Sequence, residues 1–584
     1  MSSRLFANPR LLLLPSLLLL IPCYLAPLGK LFGTSFGDEH FTLDFYRQAL
    51  GDEGYMIILL RSLTISFQVT VLTVLVGYPL AYWIASAPER RQNLLLLLVA
   101  IPLWTSTLVR SFSWIILLGR EGVVNQLAIA GGVYQSPVQM LYHRGAVLIG
   151  FVHIMVPYLV FPLVSVMRQI PKGLHSVGMN LGAGRANAFW LVFFPLSLPG
   201  VVSGAVLVFV LCIGFFVTPT LLGGLNDMTY VMLIEQQVNA AVNWQLAAAM
   251  SVILLVVTLF LVLVFGRFLR TSGEGSAKEV SESASPGRIV PFACTVLGYC
   301  AATWRKWRKP GRGAAGGASK LRSPLVSAWG VLTLLFLLVP IALLIPLSFS
   351  GAAYLQFPPP TWSARWYANF FSRPDWTNAA ILSLQVAFSV MFLATFIGTA
   401  TAVAFSRIGG WTSKILYGLV ISPMFVPTLV IAVALYFALA PMQMIGTKTG
   451  LVLGHTLIAL PISVIIVIGS LKRINLGPER AAMSLGAGHL RAFMSTTFVA
   501  IRPAIASAAL FSFLASFDDV VIALFIAGSN STLTKRMWEG VQLETDPTIA
   551  AVCSMLVMIS IALVFCLTLL NRKTEKEIAA AEVT

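Results

Sequence analysis

Residues 181–213 read LGAGRANAFWLVFFPLSLPGVVSGAVLVFVLCI, and residues 485–517 read LGAGHLRAFMSTTFVAIRPAIASAALFSFLASF. Leu181, Gly182, Ala183 and Gly184 stand 304 positions before Leu485, Gly486, Ala487 and Gly488. Phe189, Pro199, Ser203, Ala205 and Phe209 keep the same offset to Phe493, Pro503, Ser507, Ala509 and Phe513. One register held over so many residues marks two homologous halves in tandem. Upstream, Pro157 and Pro461 share it. Earlier in each half, Ser62, Gly77, Ala81, Pro102, Thr107 and Leu108 match Ser383, Gly398, Ala402, Pro423, Thr428 and Leu429 at an offset of 321. The change from 321 to 304 gives half one 17 extra residues, in a segment that includes Gly119-Arg120-Glu121-Gly122 and Asn125. Each repeated Gly-rich copy is polar yet sits between long apolar runs, which makes it a candidate docking loop for a soluble partner.

Of the 584 residues, 58% are hydrophobic and only 10% charged, and the mean hydropathy is +0.86. A soluble core cannot hide that much apolar surface. Several runs exceed the roughly 20 residues that span a bilayer as helix. The expected class is an all-α polytopic membrane protein of two tandem, parallel six-helix repeats, about 12 transmembrane helices in all. The net charge of +17 fits Lys and Arg collected in cytoplasmic loops. No dense basic stripe with aromatics points to nucleic acid. The six cysteines, Cys23, Cys212, Cys294, Cys300, Cys553 and Cys566, form no CxxC pair and suggest neither a zinc site nor a disulfide scaffold.

Apolar spans are expected near 11–30, 57–86, 94–118, 145–167, 198–222 and 246–269, and again near 325–348, 380–406, 415–440, 451–471, 501–527 and 549–571. The first is read as a retained helix rather than a signal peptide, because half two opens with an equivalent run. This divides the chain into a first repeat, 1–270, a flexible basic linker, 271–323, and a second repeat, 324–584. The apolar stretch Ile289–Trp304 within the linker is read as interfacial, because a thirteenth span would invert half two. Basic residues gather in alternate loops: Arg90 and Arg91; Arg168, Lys172 and Arg185; Arg267 and Arg270; then Arg407 and Lys414; Lys472, Arg473, Arg480 and Arg491; Arg572 and Lys573. The positive-inside rule puts these loops, both repeated motifs and both termini in the cytoplasm.

The repeated loop has a simple physical plan. Residues 172–181 and 478–485 suit short helices, Gly182-Ala183-Gly184 and Gly486-Ala487-Gly488 permit a sharp turn, and a second short helix with Phe189 or Phe493 returns to the membrane. Here the chain resembles the permease subunits of binding-protein-dependent ATP-binding-cassette importers. Their signature is Glu-Ala-Ala, three residues, Gly, then Pro about 17 positions on. Half two offers Arg480-Ala481-Ala482-Met483-Ser484-Leu485-Gly486 and Pro503; half one offers Ser176 to Gly182 and Pro199. The family's Glu is replaced by Arg480 and Ser176, with Glu479 one position early.

Further motifs narrow the likeness. Trp104-Thr105-Ser106, Leu108-Val109-Arg110, Gly119 to Gly122 and Phe216-Val217-Thr218-Pro219 are similar to the first permease of spermidine/putrescine importers. Ser516-Phe517-Asp518-Asp519-Val520-Val521 is similar to the second, so the chain looks like the two fused head to tail. The resemblance implies an importer-permease fold, two copies of a cytoplasmic ATPase at the loops, a periplasmic substrate-binding protein outside and a small organic amine as cargo. The wider family takes opines, 2-aminoethylphosphonate and ferric iron. ATP and Mg would belong to the partner ATPase, since this chain has no G-x-x-x-x-G-K-[ST] phosphate cradle and no nucleophile–base constellation.

Asp518 and Asp519 lie in an otherwise apolar span, where a carboxylate is costly and usually faces a cavity or a partner. Two readings stand: they balance the charge of a passing amine, or they pair with Arg110 and cap a broken helix. Their counterparts in half one, Gly214 and Phe215, make any acidic site one-sided. Arg110 equally suits a phosphonate. Trp104, Trp114 and Tyr158 suit an aromatic wall for a cation or interfacial anchors. Glu121 suits a cation at the outer edge or a pair with Arg120. His153 and His455, with no ligand-spaced carboxylate or cysteine beside them, read as packing residues. A secondary transporter is the rival class; it would run on an ion gradient and need no docking loop.

Overall fold

The computed structural model describes residues 9–562 except 38–39, 172, 175–184, 274–323, 353–356 and 544–545. The expectations for the linker, and for the loop around Leu181-Gly182-Ala183-Gly184, fall outside the described residues. Among those described the protein is helical throughout, with a single isolated β-bridge between Ser350 and Trp362. Among the described residues nine helices are long and apolar enough to cross a membrane, two further helix pairs are as apolar but sharply bent at a short break, and the shorter apolar helix Thr548–Ala562 follows.

Each half is built around three crossing helices: Glu53–Ala85, Arg144–Gln169 and Phe189–Ile213 in half one, and Pro374–Arg407, Lys448–Leu471 and Thr497–Asp518 in half two. Glycine sets how closely they cross. A Cβ on Gly77 would stand 2.8 Å from Leu159 Cδ2, and one on Gly398 would stand 2.5 Å from Ser463 Cβ. Leu159 and Ser463 are themselves 304 apart, so the duplicated sequence duplicates the crossing. A second pair of equivalents ties the last part of each half to its second span. Tyr230 N donates to Ser62 Oγ at 2.7 Å, and Leu533 N donates to Ser383 Oγ at 2.7 Å. Both amides sit at the start of a helix, where no intrahelical acceptor exists.

The opening helices are exchanged between the halves. Pro324–Ser348, which begins half two, packs on Glu53–Ala85 and Thr107–Leu118 of half one. Its Leu334 and Leu337 join the half-one core, and Trp329 Nε1 donates to Val76 O at 3.2 Å. His153 Nε2 donates to Leu337 O at 3.0 Å. In return Pro9–Thr34 lies on half two, against Thr428–Leu439 and Pro374–Arg407, and Lys30 Nζ donates to Phe437 O at 2.7 Å.

The third and fifth spans differ from the continuous helices that hydropathy suggests. In half one, Glu89–Trp104 and Thr107–Ala130 meet at 91°, and in half two Trp411–Met424 and Thr428–Leu439 meet at 98°. Thr105 (ψ 141°) and Ser106 (ψ 137°) are extended, and the Thr105 hydroxyl closes the preceding helix on Pro102 O at 2.9 Å. In half two Pro427 makes the break: it lacks an N–H, and its ring disfavours helical geometry at Val426. The fifth spans stop at Ile213 and Asp518 and resume as Val217–Leu222 and Val521–Ile526.

Candidate functional site

The broken spans of opposite halves meet at a seam. Asp518, at the end of Thr497–Asp518, is partly exposed and reaches across to half one. Its Oδ1 accepts from Thr107 N at 3.0 Å, and its Oδ2 accepts from the Thr107 hydroxyl at 3.4 Å. Thr107 Oγ1 in turn accepts from Arg110 Nη2 at 3.0 Å. A carboxylate at a helix N-terminus satisfies an orphan amide and meets the positive end of the dipole, so half two caps the Thr107–Leu118 helix of half one. The equivalent junction holds no charge. Gly214 takes the place of Asp518, and a Cβ there would lie 2.9 Å from Pro427 Cβ and 3.0 Å from Pro427 Cα. One crossing is polar, and its counterpart is a steric contact without room for a side chain.

Asp519 turns the other way. Its Oδ2 accepts from Ile522 N at 2.9 Å and Ala523 N at 3.3 Å, capping its own short helix, and lies 3.5 Å from His455 Nε2. His455 Nδ1 is 2.9 Å from Ser516 Oγ. Arg110 is 2% exposed, with Tyr158 beside it. Its Nη2 bonds Thr107, and the Tyr158 hydroxyl is a second hydrogen-bonding neighbour of the guanidinium. Trp104 is partly exposed at the break itself. Trp114 is instead packed against His153 (5.8 Å between ring centres) and Phe336 (5.5 Å), where it clasps the exchanged helix. Glu121 is exposed beyond the opposite end of Thr107–Leu118 and accepts from Gln126 at 3.2 Å. The seam thus brings together Trp104, Arg110, Asp518 and Asp519, and leaves Trp114 and Glu121 elsewhere. Thr107, which joins Arg110 to Asp518, carries no chemical signal in the sequence beyond its match to Thr428.

The second repeated loop is fully described. Gly477–Ser484 and His489–Ser495 are two short helices joined by Leu485-Gly486-Ala487-Gly488. Gly486 has φ +90°, a left-handed conformation that costs little only for glycine. Leu485 is 89% exposed, and Arg480 and Ala481 are exposed with Ala482 beside them partly covered. Glu479 is buried. Arg407 Nη2 donates to its Oε1 at 2.6 Å, and the Thr497 hydroxyl donates to its Oε2. Arg407 also lies over the buried Phe493 ring, 5.5 Å from its centre. No local pattern marks this lock, because its partners are 72 and 18 residues from Glu479.

At the other end of the helix that carries Arg407, a cleft of about 800 Å³ opens in half two, lined among others by Asp375, Asn378, Gln385, Lys448, Asn530 and Glu539. No group of three or more metal-ligating side chains occurs among the described residues.

Two duplicated helical bundles, broken spans at their seam and a protruding loop define a multi-pass membrane permease. Residues 77–271 and 394–579 both match the family described as binding-protein-dependent transport system inner membrane component, and the chain belongs to that family. The spermidine/putrescine transport system permease protein PotB of Salmonella typhimurium (strain LT2) is 34% identical over 236 residues, 40% of this chain and 82% of PotB. PotB of Escherichia coli (strain K12) is 33% identical over 236 residues, 40% of this chain and 86% of that protein. The permease protein PotC of Haemophilus influenzae is 30% identical over 243 residues, 41% of this chain and 93% of PotC. Relatives of both kinds each fill about two fifths of the chain, in keeping with a fusion. Among solved structures, a bacterial transporter for the import of alginate is 17% identical, with a TM-score of 0.37 over 44% of this chain and 93% of that one.

Proposed function

We propose that this permease carries a small organic amine of the spermidine/putrescine kind into the cytoplasm, by alternating access driven by a separate ATPase. The observation that carries the reading is the carboxylate of Asp518, partly exposed where the two halves meet. Irregular backbone at membrane depth is tolerated where protein buries it, as at Ser106 and Pro427, and Asp518 stands beside the first of these breaks. A carboxylate there offsets the cost of an ammonium group leaving water. Trp104 at the same break offers a ring face to a cation. When an amine takes Asp518, the cap on Thr107 is released, which loosens the contact between the halves.

In this scheme a periplasmic binding protein delivers cargo to the face that carries the half-two cleft. Two ATPase copies, which hold the ATP and Mg, dock at Leu181 to Gly184 and at Glu479 to Gly488. The relatives' names, which specify spermidine/putrescine transport, support the cargo class. Basic residues in the loop between Pro374–Arg407 and its neighbours support a cytoplasmic setting for the docking loops. A second reading rests on Arg110: a guanidinium buried at the seam beside Tyr158 suits an anionic cargo such as 2-aminoethylphosphonate.

The test is ATPase stimulation in liposomes holding this chain, the ATPase and the binding protein, titrated with spermidine, putrescine, 2-aminoethylphosphonate and ferric iron. Stimulation by a polyamine, lost in Asp518→Asn, is the expected result. Stimulation by the phosphonate alone, lost in Arg110→Gln, would transfer the site to the anion. If no ATPase associates, the ion-driven secondary transporter becomes the better reading.

A further inference from the structure

The docking loop of half two has an unusual charge balance. Between Leu471 and Phe517 the only acid is Glu479, against Lys472, Arg473, Arg480, Arg491 and Arg502. Glu479 is turned inward onto Arg407 and Thr497, so it adds nothing to the outer surface. Lys472, Arg473, Arg480, His489 and Arg491 are all exposed. Among the described residues, no carboxylate lies within ion-pair distance of any of these five. The equivalent stretch of half one, Met167 to Ile213, contains no acid at all and carries Arg168, Lys172, His175 and Arg185.

Leu485 projects from the turn at 89% exposure, with the exposed Arg480, His489 and Arg491 close to it in the chain. Gly488, the N-cap of the following helix, adds no bulk beside it: a Cβ placed there would meet nothing within 4 Å. An exposed apolar side chain among unpaired cations suits a protein partner that offers an apolar pocket with an acidic border.

We propose that the ATPase docks through a groove with an acidic rim and an apolar floor, the rim facing Arg480 and Arg491 and the floor taking Leu485. This rests on the reading of the loop as an ATPase dock. It reverses the polarity that the family signature implies, where a glutamate stands at the position of Arg480.

The experiment uses the full chain in nanodiscs and, as probes, the purified ATP-binding-cassette subunits of the same organism, with affinity measured against ionic strength. The expected result is one subunit that binds the wild type in neutral phosphatidylcholine discs and weakens by about tenfold or more as salt rises from about 50 to 500 mM. The double variant Arg480→Glu/Arg491→Glu loses about 100-fold at low salt. The salt dependence needs no variant, so it holds even if a substituted chain folds poorly. Unchanged or tighter binding on charge reversal, with a flat salt response, overturns the acidic rim and leaves the ATPase dock standing. Binding that depends on these arginines only in discs containing anionic phosphatidylglycerol overturns it in favour of the membrane surface. If no subunit binds at any salt, the dock itself falls along with its rim.

Discussion

Removing the Glu479 carboxylate tests whether the second docking loop is held by its buried ion pair. The pair joins the end of Pro374–Arg407 to the loop at 2.6 Å, with side-chain exposures of 17% and 8%. Two unit charges about 4 Å apart attract by about 4 kcal/mol at an effective dielectric of 20, and desolvation of both offsets most of that. Removing one partner is a different matter, because it leaves the other charge buried, at about 3–5 kcal/mol. Arg407 retains some exposure and its contact over Phe493, so Glu479→Ala is expected to fall just below that range, at about 2–3 kcal/mol. Local opening of residues 477–495 should then rise about 30- to 140-fold. Amide hydrogen exchange in detergent reads this opening directly. Glu479→Gln keeps a carbonyl acceptor for Arg407 and turns its NH2 toward the Thr497 hydroxyl, which can rotate to accept from it, and is expected to cost about half as much. If exchange in Glu479→Ala stays within threefold of wild type, or if the acceleration reaches the whole protein equally, the lock does not hold the loop.

Other outcomes follow from the duplicated contacts. Gly398→Ala should lower the melting temperature in detergent more than Gly77→Ala, because the new Cβ meets Ser463 Cβ at 2.5 Å in one case and the flexible end of Leu159 at 2.8 Å in the other; equal or reversed shifts would contradict the close crossing. Ser62→Ala and Ser383→Ala each strand a buried helix-start amide, so each should cost about 1–3 kcal/mol, measured as matching shifts in thermal unfolding. Asn125 is fully buried and bonds Gly119 O, Val138 O and Val138 N. Asn125→Ala should therefore expose the 119–143 segment to protease at least tenfold faster, while sites in half two stay unchanged.

The duplicated architecture was readable because identity at a fixed offset survives without knowledge of contacts: Gly77 and Gly398, and Ser62 and Ser383, occupy equivalent crossings and bonds. The turn at Gly486 was readable because only glycine takes φ +90° cheaply. The broken third spans were not, since a hydropathy window averages over Thr105 and Ser106 as if they were helical. Nor was the direction of Glu479: its position in the loop says where it lies along the chain, and Arg407 alone decides which way it points. Asp518 and Asp519 look interchangeable in sequence. One backbone rotation sends the first across the seam to Thr107 and the second back to Ile522 and Ala523. Trp114 is an aromatic at a span end, and its place in a clasp depends on Phe336, more than 200 residues away.

The exchanged opening helices set a timetable for synthesis. Pro324–Ser348 emerges after its neighbours Glu53–Ala85 and Thr107–Leu118 and can settle at once on a finished surface. Pro9–Thr34 has the opposite history, because its neighbour Thr428–Leu439 is made almost 400 residues later. At about 5–20 residues per second, that helix waits about 20–80 seconds in the bilayer, with Lys30 lacking its Phe437 carbonyl. The same molecule cut at the linker and made as two chains would remove that delay, and the order of synthesis rather than the final contacts would decide how much protein reaches the native form.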